Sequence, residues 1–162
     1  MPVYTFRKTQ FIAASVEEVW DFISSPRNLK LITPPYMGFD VITADLPEKM
    51  YAGMIIAYHV KPLLGIRTTW VTEITQVTDQ KYFVDEQRYG PYTMWHHQHL
   101  IEPVEGGVLM TDIIDYQPPF GILGALANKV IIGAKLEEIF IYREQKLLEK
   151  FGLNLNTKKA DD

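Results

Sequence analysis

The feature that most constrains this chain is a pair of turn sequences set one strand apart, Gly90-Pro91-Tyr92 and Glu105-Gly106. Both contain the glycine that β-hairpin loops favour, and the segments beside them are rich in strand-forming residues. Residues 83–116 are therefore predicted to form two adjoining hairpins. Because loop length fixes which residues face each other, the turns also decide which side chains share a face of the sheet.

The predicted register gathers polar side chains on one face. A three-residue first loop places Asp85 opposite His97, and a two-residue second loop places His99 opposite Asp112. A weaker turn at Asp79-Gln80 adds a further strand to the same sheet. Alternate residues of a strand share a face. The face then collects Trp70, Thr72, Asp85, Gln87, Trp95, His97, His99, Asp112 and Tyr116.

The rest of the chain supplies one strand, two short helices, further strands and a long helix. A capping box at Ser15 and Glu18 starts the first helix, and Pro26 starts the second. Strands are predicted over residues 3–13, 36–44, 53–61 and 66–77, and one helix over residues 121–151. The predicted α+β fold is a bent antiparallel sheet of about seven strands wrapped around the C-terminal helix. We expect one domain over residues 1–153 and a polar tail over residues 154–162.

Composition excludes several classes of function. Hydrophobic residues make up 47% of the 162 residues, which is enough to bury a core in one domain. The net charge of −4 argues against binding to a nucleic-acid backbone. No cysteine is present, and no signal-peptide pattern or membrane-spanning apolar run is found. These features predict a cytoplasmic location.

The order of elements resembles the helix-grip fold of the SRPBCC superfamily, which includes START-like proteins, pollen allergens and polyketide cyclases. The motifs that carry the resemblance are Phe83-Val84-Asp85-Glu86-Gln87, Gly90-Pro91, Trp95-His96-His97-Gln98-His99, Gly107, Met110-Thr111-Asp112, Tyr116 and the run 136–143. They are similar to a bacterial branch described as polyketide cyclase/dehydrase-like, and they span about residues 3–151. The resemblance implies a hydrophobic ligand cavity without implying one activity.

Four interpretations of His97 and His99 with Asp85 and Asp112 stay open. As a catalytic group, a histidine oriented by a carboxylate could move protons in a cyclisation or dehydration. The four residues could instead orient a ligand, or satisfy each other as buried hydrogen bonds. A metal site is the least favoured interpretation, because the register divides the cluster into two separate His–Asp couples. No metal and no cofactor are expected.

Other residues are predicted to form the walls and mouth of the cavity. Candidate ligand-binding residues are Tyr58, Trp70, Thr72, Gln87, Trp95, Tyr116 and Arg143. Three apolar loops fall at one end of the sheet and suggest a mouth formed by Leu63, Leu64, Tyr92, Phe120 and Leu123. Such an apolar rim could also make a transient contact with a membrane or a protein.

The sequence thus favours binding of a hydrophobic or aromatic-carbonyl small molecule, such as a lipid or a polyketide, between sheet and helix. The first alternative is a cyclase/dehydrase-type enzyme that uses a His–Asp pair in the same cavity. The second alternative is a protein-interaction module whose cavity has collapsed.

Overall fold

Seven strands form one antiparallel sheet in the computed structural model, which describes residues 2–62, 65–119, 121 and 131–152. The strands are β1 (Tyr4–Ile12), β2 (Asp40–Val41), β3 (Met54–Val60), β4 (Thr68–Thr78), β5 (Tyr82–Tyr89), β6 (Met94–Val104) and β7 (Gly107–Gln117). Their order across the sheet is β1-β7-β6-β5-β4-β3-β2. The first strand therefore pairs with the last, and the other strands follow as successive neighbours.

The helices lie where the sequence signals place them. Helix α1 (Val16–Ile23) begins at the capping box, in which the Ser15 hydroxyl accepts from the Glu18 backbone N–H. A 3-10 helix follows at Pro26–Ile32, and a second, unpredicted one lies at Pro35–Met37. Helix α2 (Gly133–Gly152) is the long C-terminal helix. No helix in the described part of the chain has the length and apolarity required to cross a membrane.

Helix α2 packs across the concave face of the sheet. Its buried residues are Leu136, Phe140, Arg143, Leu147 and Phe151. Phe140 contacts Phe6 of β1 with a ring-centroid distance of 4.9 Å. Gln10, also on β1, donates a hydrogen bond of 3.0 Å to the backbone carbonyl of Glu144. These contacts confirm the predicted helix-grip fold.

One strand prediction is wrong. Residues 36–44 were expected to be extended, but only Asp40–Val41 pair with the sheet. Proline at positions 34 and 35 favours the tight 3-10 turn, and Gly38 follows in the left-handed conformation with a φ of 55°. The strand therefore begins late and remains short.

Parts of several predictions lie outside the described residues. Among the predicted mouth residues these are Leu63, Leu64, Phe120 and Leu123. The same holds for residues 122–130 of the predicted long helix and for the tail at 154–162.

The residue pairs predicted for the two hairpins agree with the structure. Asp85 pairs with His97, and His99 pairs with Asp112. The second loop has the predicted two residues, whereas the first has four, residues 90–93. At the start of β7, a Cβ on Gly107 would collide with the carbonyl oxygen of Ile12, so β1 can approach β7 there only because that position is glycine.

Candidate functional site

A cavity of about 160 Å³ lies between the concave face of the sheet, the 3-10 helices and α2. An apolar space of about this size can hold a benzene-sized ring. Most of its lining is aliphatic or aromatic, as in Ile56 on β3, Ile74 on β4 and Phe140 on α2. Apart from Thr33, Tyr58, Thr72 and Lys135, its polar lining lies at one place, which we call the polar floor, formed by Asp85, His97, His99, Arg143 and, behind them, Asp112.

The two histidines and two carboxylates of the polar floor form one ring of contacts. His97 Nε2 lies 3.0 Å from Asp112 Oδ1, and His99 Nε2 lies 2.7 Å from Asp85 Oδ2. His97 Nδ1 is 3.5 Å from Asp85 Oδ2, and His99 Nδ1 is 3.0 Å from Asp112 Oδ1. The imidazole rings themselves are 3.7 Å apart between centroids. Each histidine thus touches both carboxylates.

The prediction of two separate His–Asp couples is therefore wrong. The backbone register pairs Asp85 with His97, but the shorter contacts run diagonally, from Asp85 to His99 and from His97 to Asp112. Side chains lean along the strand direction and can reach the diagonal neighbour. The register determined the shared face correctly, but the side-chain directions join the four groups into a single cluster.

Arg143 completes the polar floor from the helix side. The sequence analysis gave this residue as a candidate for ligand binding. It is buried, and its Nη1 lies 3.5 Å from Asp112 Oδ1. The guanidinium therefore links α2 to β7 beneath the cavity.

Both carboxylates remain ionised despite their burial. Burial alone would raise the pKa of Asp112, but the charge of Arg143 and the hydrogen bonds from His97 and His99 outweigh it. They hold the pKa well below its usual value. For Asp85, burial is likewise outweighed, in this case by His97, His99 and Arg143, so that its pKa is also lowered. The floor thus contains two fixed negative charges.

The pKa values of the two histidines are shifted in opposite directions. Burial and the charge of His99 lower the pKa of His97 to about 4. Burial would lower the pKa of His99 too, but its hydrogen bonds to Asp112 and Asp85 raise the pKa above the usual value. When His99 is protonated, which its raised pKa favours, and His97 is neutral, His99 and Arg143 balance Asp85 and Asp112. In that state the buried set has no net charge, which is the arrangement that burial tolerates best.

The same donor set could accommodate a divalent cation. One ligand atom from each of Asp85, His97 and His99 lies within 4.8 Å of the other two. The argument from separate couples against a metal therefore no longer holds. The positive charge of Arg143 already acts on the Asp85 carboxylate, however, and a second cation would compete with it. The absence of a metal stays a prediction.

The predicted wall residues divide into two groups. Tyr58, Trp70, Thr72 and Trp95 line the cavity, and the Tyr58 hydroxyl lies 2.8 Å from the Thr72 hydroxyl. Gln87 and Tyr116 are not among the lining residues.

Gln87 and Tyr116 instead support Tyr92, the described residue of the predicted mouth. The Gln87 side chain donates to the backbone carbonyl of Tyr92 at 2.7 Å and accepts from its N–H at 3.2 Å. The ring of Tyr116 packs edge-on against that of Tyr92, with centroids 5.9 Å apart. Tyr92 is buried and lines the cavity.

Several lining residues were missed. Ile56, Val60 and Ile74 line the cavity, and the period of two that placed Tyr58 and Thr72 on the inner face could have identified them. Met37 and Phe39 also line it, but they lie in the segment that was assigned as a strand. No local pattern signals the contribution of these two residues.

A family model described as "Polyketide cyclase / dehydrase and lipid transport" matches residues 12–136 of the 162 residues. The chain belongs to this family. Membership of this family supports the assignment of a fold that binds hydrophobic ligands. No curated protein matches the chain.

Solved structures agree with the fold. The TTHA0849 protein of Thermus thermophilus has a TM-score of 0.65 at 16% identity, covering 91% of this chain and 99% of that one. The CV1439 protein of Chromobacterium violaceum has a TM-score of 0.68 at 13% identity, with coverage of 91% and 96%. The major latex-like protein 151 of Panax ginseng has a TM-score of 0.63 at 9% identity, with coverage of 92% and 97%. At these identities the likeness concerns the fold alone.

Proposed function

We propose that this family member binds a small hydrophobic molecule in the cavity between sheet and helix, with the polar end of the ligand on the floor. The observation that carries the proposal is an apolar cavity that ends in a buried cluster of ionised side chains. Ligand sites are commonly of this kind, apolar with a few placed polar groups. The lipid or polyketide-like ligand predicted from the sequence is of this class.

A second candidate function is catalysis of the cyclase/dehydrase type. It is favoured by a neutral imidazole, His97, that lines the cavity beside the cationic pair of His99 and Arg143. His97 could accept a proton from a ligand, and the cations could stabilise the resulting negative charge. A pKa of about 4 makes His97 a weak base at neutral pH, however, and efficient general bases titrate near the working pH. Binding is therefore the first candidate.

Native mass spectrometry of the freshly purified protein tests the binding proposal. Leu136 is buried and lines the cavity, whereas Leu148 lies on the same helix with 50% of its surface exposed. We expect wild type and Leu148→Trp to carry a co-purifying hydrophobic mass. Leu136→Trp should lose it, because the indole occupies the cavity.

Equal retention by both variants would place the ligand elsewhere and contradict the proposal. Apo masses for all three proteins, even after incubation with a mixed lipid extract, would contradict it as well. Conversion of a recovered ligand by wild type, but not by His97→Gln, would establish the catalytic alternative.

A further inference from the structure

Asp85 is the member of the polar floor most open to the cavity. Its side chain is 15% exposed, against 7% for His97 and 2% for His99. Asp112 and Arg143 are 8% and 10% exposed, and Asp112 is not among the lining residues. A ligand that reaches the floor therefore meets the carboxylate of Asp85 first.

The two oxygens of Asp85 are used unequally. Oδ2 takes the contact from His99 Nε2 at 2.7 Å and the contact from His97 Nδ1 at 3.5 Å. Oδ1 takes no hydrogen bond from the described residues, although the carboxylate stays ionised. A charged oxygen at the end of an apolar cavity is stabilised by a hydrogen-bond donor. The hydroxyl of Tyr58, which also lines the cavity, is already within 2.8 Å of the Thr72 hydroxyl.

The charges of the floor disfavour an anionic ligand at this position. Arg143 Nη1 and His99 Nδ1 each lie within 3.5 Å of Asp112 Oδ1. The Nε atom of Arg143 has no hydrogen-bond partner among the described residues, but it is buried. Within the floor, the charge most exposed towards the ligand is that of Asp85, and Lys135, which also lines the cavity, is paired with Glu138 at 2.6 Å. A carboxylate on the ligand would meet a like charge in a medium of low dielectric constant, whereas a neutral donor would not.

We propose that the cavity selects ligands with a neutral hydroxyl group, an alcohol or a phenol, on an apolar body, and that the hydroxyl donates to Oδ1 of Asp85. This inference rests on the proposed binding function and specifies its ligand class. Fatty acids and other anions do not belong to that ligand class. Apolar molecules without a hydrogen-bond donor bind more weakly than alcohols and phenols.

Three probes with the same propylphenyl body test the proposal on the full-length wild-type protein by calorimetric titration at pH 7. They are 4-propylphenol, its methyl ether 4-propylanisole and 4-propylbenzoate. The phenol is neutral at this pH, since phenols titrate near 10. A hydrogen bond to a charged oxygen should make the phenol bind at least about tenfold more tightly than the ether. The benzoate should bind more weakly than the phenol.

The outcomes separate this inference from the binding proposal. If the ether binds as tightly as the phenol, or the benzoate binds more tightly, the hydroxyl selection is overturned while the cavity still binds ligands. If none of the probes binds, the binding function fails and this inference fails with it. The comparison of the three probes uses the wild-type protein alone, so it tests the hydroxyl selection even if variants of Asp85 lose stability.

Matched variants then assign the selection to one carboxylate. Asp85→Asn and Glu86→Gln make the same change at adjacent residues of β5, but Glu86 contacts His96 and Arg88 instead of lining the cavity. Asp85→Asn should reduce the advantage of the phenol over the ether to roughly threefold or less, whereas Glu86→Gln should preserve it. A preserved advantage in Asp85→Asn would overturn the role assigned to Oδ1.

Discussion

Three side chains of the polar floor contact one oxygen atom, Oδ1 of Asp112. His97 Nε2 and His99 Nδ1 both lie 3.0 Å from it, and Arg143 Nη1 lies 3.5 Å from it. The three partners come from β6 and α2, while Asp112 itself belongs to β7. Removal of this charge would leave the guanidinium buried beside a single carboxylate, Asp85.

We therefore expect Asp112→Asn to lower the free energy of unfolding by about 3–5 kcal/mol, the usual loss when one partner of a buried ion pair is removed. Asp115→Asn is the matched control, because Asp115 lies on the same strand and accepts an exposed hydrogen bond from Thr5. It should cost less than about 1 kcal/mol. Urea unfolding at pH 7 measures both values, and equal losses would show that the ring does not stabilise the fold.

At the scale of elements, the loop between β5 and β6 is held by the side chain of Gln87, which takes the place of a neighbouring strand as the hydrogen-bond partner of the loop backbone. The Gln87 amide satisfies both backbone groups of Tyr92. Gly90 permits this arrangement, because a Cβ there would collide with the Gln87 side chain. Tyr92 is thereby held against Trp95, with ring centroids 4.9 Å apart.

Gln87→Ala should lower the free energy of unfolding by about 1–3 kcal/mol, because the N–H and carbonyl of buried Tyr92 lose their partner. It should also speed hydrogen exchange at the Tyr92 amide. Gln76→Ala is the control, since Gln76 is exposed on the neighbouring strand β4. Unchanged exchange at Tyr92 in Gln87→Ala would contradict this role for the side chain.

The hairpins show which features a sequence can predict at this scale. The positions of the turns indicated the register, so the shared face of Asp85, His97, His99 and Asp112 was predicted correctly, although four residues and not three separate β5 from β6. The diagonal contacts and the burial of Arg143 depend on side-chain directions and on how α2 is placed. Neither is encoded locally, and both appear only once the elements are packed.

The stability of the whole molecule should depend on pH through the floor. The pKa of His97 is about 4 in the folded protein and about 6.5 when unfolded. The unfolded state therefore binds a proton first, and stability falls as the pH decreases from about 6.5 to 4. The loss is on the order of 3 kcal/mol. His97→Gln should flatten this part of the profile, measured by urea unfolding at several pH values.

The other floor residues contribute outside this window. The raised pKa of His99 gives stability that is complete below about 6.5 and is lost as the pH rises through the folded-state value. The lowered pKa values of Asp85 and Asp112 give stability that is lost as the pH falls below about 4. His96→Gln is the control, because His96 contacts Glu86 outside the cavity. A profile that is equally steep in His97→Gln and wild type would contradict the assignment.

The overall architecture was predictable from the sequence, whereas the shape of the cavity was not. Alternation and turn signals indicated about seven strands and the adjacency of β4, β5, β6 and β7, and the long helix was expected to cover the concave face of the sheet. The cavity wall also uses Met37 and Phe39, which a proline-rich segment places beside the sheet in a way that no periodicity reveals. Size and shape of a ligand site arise from such packing.

The ring of contacts beneath the cavity has a consequence for how proteins of this design can diversify. Within the ring, most single substitutions leave a charge without its counterpart, so its members are expected to change only in compensating pairs. The surrounding aliphatic wall obeys no such rule, since Ile56 or Ile74 can be exchanged for another apolar residue at modest cost. We therefore expect related proteins to bind ligands of different shape through substitutions in the aliphatic wall, while the charged groups of the polar floor stay the same.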